Sequence, residues 1–138
     1  RKGLGGTDER VIAEWNGPEF MDKVTFSCMG QEEFPKIVKN NKRPAVIVAG
    51  LETQICVLQT TLDLLRNGYQ VFVVKDACLS STKLRWQNGL DLMEKAGATI
   101  VNTETVIFYL LKRVDRPEFK PLVKLLKEQK AYLASDEE

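Results

Sequence analysis

The sequence predicts an α/β protein in three layers, a parallel sheet with helices on both faces. Three observations carry this. Ala45–Ala49 (AVIVA) is an unbroken apolar run without alternation, the mark of a strand buried on both faces. Val71–Val74 (VFVV) repeats that mark. The segments between and after these runs have helical periodicity, so the order reads strand, helix, strand, helix, strand, helix. That order implies right-handed crossovers between parallel strands.

Residues 1–10 are Gly-rich and polar and read as a surface loop. A short strand is expected at Val24–Ser27. Gln31–Asn40 has apolar Phe34, Ile37 and Val38 at helical spacing, with Pro35 tolerated early in the helix. Lys39–Pro44 is a polar turn into the first buried strand, which ends at Gly50. The next helix is expected from Thr53, as N-cap, to a C-cap at Asn67–Gly68. Its Ile55, Leu58, Leu62 and Leu65 form one face. The second strand is expected to end at Lys75-Asp76. A helix follows from Ser81 to about Ala96, then a third strand at Thr99–Val101. Helices near Glu104–Arg113 and Pro117–Lys130 complete the pattern, and Asp136–Glu138 reads as a frayed acidic end. A doubly wound sheet ordinarily has five or six strands, and three are visible. The opening at Arg1, in mid-loop and without Met, adds to the expectation of a piece of a longer polypeptide. The whole is expected to be one domain over residues 1–138, incomplete at its N-terminal side.

Composition excludes several classes of function. The chain has 138 residues, 43% apolar and 28% charged, the balance of a globular protein rather than a fibrous or disordered one. No run approaches the roughly 20 apolar residues of a membrane span. Lys plus Arg is 20 against 19 for Asp plus Glu, a net charge of +1, and so weak a field argues against nucleic acid as the main partner. Histidine is absent, which removes the commonest zinc ligand and the usual general base. The three cysteines, Cys28, Cys56 and Cys78, form neither a CxxC knuckle nor a disulfide framework. They read as reduced thiols, so the expected compartment is the cytoplasm, with the mitochondrion as the alternative.

In an open parallel sheet, ligands bind beyond the carboxyl ends of the strands. The sequence there is Gly50-Leu-Glu-Thr-Gln-Ile-Cys56-Val57. With Thr53 as N-cap, Cys56 falls in the first helical turn. Free N–H groups and the positive end of the helix dipole favour an anionic sulfur there. The same N–H groups can receive the oxyanion of a carbonyl under attack. Gly50 permits the sharp turn that leads in. Composition alone still favours an inert, buried cysteine. Cys28, Cys78 and the strand-ending Asp76 are read as structural. Trp15, Phe20 and Phe26 are weighed as pocket walls near Lys23, with ordinary packing favoured, and Trp86 as facing a neighbouring subunit. Gly3–Gly6 is too short and misplaced for a dinucleotide fingerprint.

The segment GLETQICVLQTTLDLLRNGYQVFVVKDAC, Gly50–Cys78, closely resembles the isochorismatase-like cysteine hydrolases, whose G-[IL]-E-T-x-x-C-V signature it matches. Lys23-Val-Thr-Phe-Ser27 resembles the K-x-x-[FY]-S segment of that family, and Arg1–Thr7 the loop after its second strand. The nearest branch is that of the isochorismatase domain-containing proteins. The resemblance implies an isochorismatase-like hydrolase fold and an Asp–Lys–Cys triad, with Cys56 as nucleophile and Lys23 as the triad lysine. It further implies an oxyanion hole from the backbone N–H groups of Glu52 and Cys56, and a cis peptide between Leu51 and Glu52. It implies no cofactor, no metal, a small-molecule substrate and a homo-oligomer.

One departure matters. The family's catalytic aspartate ends its first strand, ahead of the segment matching Arg1, and no residue here matches it. Asp8 and Asp22 are nearby acids, but neither ends an apolar strand. The expected activity is therefore that of the complete protein: hydrolysis of a small amide, imide or related carbonyl compound through a covalent intermediate on Cys56. The chain alone is expected to be inactive. The alternative is a non-catalytic binding or scaffold protein that keeps the fold. A nuclease reading finds little support in a near-neutral chain without histidine.

Overall fold

The computed structural model describes residues 5–17 and 20–135. Three parallel strands, β1 (Ala45–Leu51), β2 (Gln70–Leu79) and β3 (Thr99–Val101), pair in the order β1-β2-β3. Among the described residues six α-helices accompany them: α1 (Glu9–Glu14), α2 (Glu33–Asn40), α3 (Leu58–Arg66), α4 (Lys83–Lys95), α5 (Thr103–Leu111) and α6 (Phe119–Ser135). The α/β architecture is the one the apolar runs predict, but β1 is not buried on both faces as expected: its side chains alternate, with Ala45, Ile47, Ala49 and Leu51 exposed on one face of the sheet.

The core lies between one face of the sheet and helices α3 and α4. Val71 and Val73 of β2, Leu64 of α3 and Leu90 and Met93 of α4 are buried there, with Val57, Cys78 and Ala98. Strand side chains alternate between faces, so Phe72 and Val74 turn to the opposite face, where α5 contacts β2. Burying an aliphatic side chain of this kind stabilises the fold by about 1.5–3 kcal/mol. Helix α3 ends as expected: Gly68 takes φ +83°, and Gly68 and Tyr69 donate to the carbonyls of Leu65 and Leu64.

Several elements differ from expectation for identifiable reasons. Asp8 accepts a hydrogen bond from Arg10 N–H at 2.9 Å and caps α1, so the segment expected to be loop contains a helix start. Val24–Ser27 is not a strand. The carbonyls of Thr25 and Phe26 accept from Lys23 Nζ, each at 2.9 Å, and Thr25 Oγ1 donates to Ser27 O at 2.7 Å. Ser27 then caps a 3₁₀ turn at Cys28–Gly30. Backbone groups engaged this way cannot join a ladder.

Strand β2 runs past Lys75-Asp76 to Leu79. Pairing is regular from Ala45↔Gln70 to Val48↔Val73, then resumes at Gly50↔Cys78. Residues 74–77 of β2 therefore face Ala49 alone, a large bulge in the ladder. Gly50 has φ +125°, a conformation glycine takes without a Cβ penalty. Arg1–Leu4 of the glycine-rich opening and the acidic Asp136–Glu138 lie outside the described residues. Among those described, no helix is long and apolar enough to cross a membrane.

Candidate active site

The peptide bond between Leu51 and Glu52, at the end of β1, is cis. The chain then enters a π-helical turn, Thr53–Val57, before α3. Val57 N–H donates to Glu52 O at 3.3 Å, a bond spanning five residues, while Ile55 N–H donates to the same carbonyl at 3.0 Å. Glu52, not Thr53, is the capping position. Thr53 is fully buried, and its hydroxyl donates to Leu79 O at 2.9 Å, so it ties the turn to the end of β2 instead of capping a helix. This corrects the expected N-cap and places Cys56 one residue further into the turn.

Cys56 is half-buried, and its Sγ lies 3.4 Å from Lys23 Nζ. The two residues, 33 apart in sequence, are thus brought together. The ammonium is held by the carbonyls of Thr25 and Phe26, so the bends at 24–27 fix the cation. Ser27, which is buried, and Cys28 anchor this segment: Cys28 N–H donates to Thr60 Oγ1 of α3 at 3.0 Å. The segment therefore rests on the helix that continues from Cys56.

The Glu52 side chain is anchored through two hydrogen bonds, from Gln54 Nε2 and from Ser81 N–H, each at 3.1 Å. Together they hold its carboxyl below the ordinary glutamate range, the Gln54 bond contributing most. Ser80 Oγ donates to Gln54 Oε1 at 2.7 Å, and Arg85 Nη1 donates to Ser81 Oγ at 2.7 Å. This polar clasp joins the turn to the start of α4. Sequence reasoning missed Gln54, Ser80, Ser81 and Arg85, because only the fold brings residues 26 to 29 positions apart into contact.

The remaining candidates fall elsewhere. Cys78 is buried in β2, and burial pushes its thiol up despite a hydrogen bond from Gly50 N–H. Asp76 accepts from Thr103 N–H at 2.8 Å and Thr103 Oγ1 at 3.0 Å, a structural seat for the start of α5. Trp15 and Phe20 stack on each other at 5.7 Å, and Phe26 is exposed. Trp86 packs against the core of its own chain, and Nε1 donates to Lys75 O at 3.1 Å. Asp8 is held down to about 2 by Arg10. Among the described residues, no group of three or more potential ligands could hold a metal ion.

Comparison with known proteins follows the same lines. Residues 4–105 match the isochorismatase domain family. "Isochorismatase family protein 1A" of Dictyostelium discoideum is 35% identical over 139 aligned positions, covering 98% of this chain and 68% of that protein. A solved structure described as MAR1 ribonuclease from Caenorhabditis elegans superposes with a TM-score of 0.78 at 39% identity, over 90% of this chain and 64% of that one. A pyrazinamidase/nicotinamidase from Streptococcus mutans is similar with a TM-score of 0.56 at 33% identity, over 59% of this chain and 45% of that one. The chain thus spans about two thirds of the first two relatives and less than half of the third. On the match over residues 4–105, the chain belongs to the isochorismatase family.

Proposed function

We propose that the complete protein is a cysteine hydrolase of a small amide, imide or related carbonyl compound, with Cys56 as nucleophile. Family membership supports a hydrolase, and the similar Streptococcus mutans chain is described as a pyrazinamidase/nicotinamidase. The observation that carries the reading is the Lys23 Nζ–Cys56 Sγ contact of 3.4 Å at the carboxyl end of a parallel strand.

In this reading Lys23 stabilises the charged sulfur. Sγ attacks the carbonyl carbon, a C–S bond forms, and the oxygen becomes an oxyanion received by the N–H groups of Glu52 and Cys56. Collapse breaks the C–N bond, and the amine leaves with a proton. Water then cleaves the thioester and frees the thiol. The proton transfers belong to the family's aspartate, for which this sequence offers no match. The substrate is a small molecule, the protein needs no cofactor, and it works as a homo-oligomer in the cytoplasm.

Peptide-mapped labelling with iodoacetamide at neutral pH tests this. Cys56 is expected to react at least about tenfold faster than Cys28 or Cys78. Equal, slow labelling of all three overturns the reading. The ribonuclease description of the Caenorhabditis elegans chain favours a second reading, RNA cleavage. A charge balance of 20 against 19 offers phosphates little attraction, so salt-dependent RNA affinity is the finding that would revive it.

A further inference from the structure

The π turn that carries Cys56 is seated on α4, and the seat depends on a glycine. Gly89 is buried on α4, and a Cβ there would lie 2.9 Å from Gln54 Cα, Gln54 N and the Thr53 carbonyl carbon. All three are backbone atoms, so a side chain at this position can be accommodated only by shifting the turn and α4 relative to each other. One helical turn away on α4, the polar clasp holds the same stretch of chain, at Glu52 and Gln54. Glu52 accepts from Gln54 and Ser81 N–H, Ser80 donates to Gln54, and Arg85 donates to Ser81. Thr53, the first residue of the turn, is pinned to Leu79. The Lys23 ammonium is held by carbonyls of its own segment, and that segment rests on α3 through Cys28 N–H and Thr60 Oγ1, not on the turn.

We propose that Gly89 and the Glu52 side chain are positioning residues that set the distance from Cys56 Sγ to Lys23 Nζ through the seating of the π turn on α4. The inference rests on the nucleophile reading only for its consequence in catalysis; the positioning itself is a property of the turn. Gly89 has no side chain, and the Glu52 carboxylate is engaged by Gln54 and Ser81, so both act on the sulfur through the turn. Because the cation and the thiol are held by different elements, a shift of the turn changes their separation directly. Displacements of about 1 Å in such constellations change rates by up to about a hundredfold.

The test compares Cys56 labelling by iodoacetamide, at one neutral pH, in the full chain and in Gly89→Ala, Glu52→Ala and Glu52→Gln. Circular dichroism and the thermal midpoint establish that each variant is folded. Gly89→Ala and Glu52→Ala are expected to slow Cys56 about tenfold, with Cys28 and Cys78 unchanged. Glu52→Gln keeps an oxygen acceptor for Gln54 and Ser81 and is expected to restore the rate to within about twofold. A structural defect alone would not be rescued in this way while sparing the other two thiols. Wild-type rates at Cys56 in folded Gly89→Ala and Glu52→Ala overturn the proposal. If Gly89→Ala does not fold, the Glu52 pair decides alone. If wild-type Cys56 reacts no faster than Cys28, the nucleophile reading falls, while the variant-to-wild-type ratio at Cys56 still decides the positioning.

Discussion

The ends of β1 and β2 lie side by side, paired at Gly50↔Cys78 and Leu51↔Leu79, and each leads to a cysteine with a different environment. Cys78 stays in the ladder, where burial pushes its thiol up and keeps it neutral. Cys56 lies beyond the strand, on a turn that leaves the sheet, half-buried and 3.4 Å from an ammonium. Proximity to the carboxyl edge of a sheet is therefore not enough to bring a cysteine to a cation. The chain must leave the ladder for the sulfur to meet a cation instead of packed neighbours.

The comparison breaks most sharply at the two sulfurs. In the complete protein, Cys56→Ser is expected to lower turnover of a small amide by about a thousandfold or more, measured as kcat/KM. Cys78→Ala should leave turnover within about twofold, because its sulfur faces the core. Equal losses would erase the distinction. The next largest effect belongs to the cation. Lys23→Met is expected to slow iodoacetamide labelling of Cys56 about tenfold or more. Labelling of Cys78 should not change, and peptide mapping reads both in one sample. Smaller again is the packing role of Cys78. Cys78→Ala is expected to cost about 1 kcal/mol in urea unfolding, the loss of a small buried group.

The smallest effect is the pH dependence contributed by Glu52. Its folded carboxyl titrates below the ordinary value. Its contribution to stability is therefore complete above the unfolded glutamate range and fades as pH falls through the lower, folded value. Acidification below about pH 4 should destabilise the wild type slightly more than Glu52→Gln, which has no proton to take up. Parallel acid-unfolding curves would remove this role.

The apolar runs AVIVA and VFVV were sufficient to locate two strands, but the expected burial on both faces holds for Val71–Val74 of β2 and not for β1, whose Ala45, Ile47, Ala49 and Leu51 are exposed. The continuation of β2 to Leu79 was not legible. Lys75, Asp76 and Ala77 are exposed and occupy the bulge, so they carry no strand signal. The bends at 24–27 were misread because their carbonyls serve Lys23, a side-chain contact that backbone propensity does not encode. Of the site, the cysteine and lysine were legible through the family signature. Thr53 was misassigned, since a threonine before a helix usually caps it, and here its hydroxyl reaches across to Leu79. Gly89 carried no local signal at all, because its reason is the backbone of a turn more than 30 residues earlier.

Trp86 gives this arrangement an optical consequence. Its indole is half-buried on α4, three residues before Gly89, and donates to the Lys75 carbonyl, whereas Trp15 is 48% exposed on a stacked pair with Phe20. The two chromophores therefore emit from a sheltered and a wet environment, and replacing Trp15 with Phe isolates the sheltered one. The emission of Trp86 then becomes a gauge of how tightly α4 grips the sheet. A red shift would report that helix lifting before any loss of helical dichroism, and it can be read in the same cuvette in which the thiol is titrated.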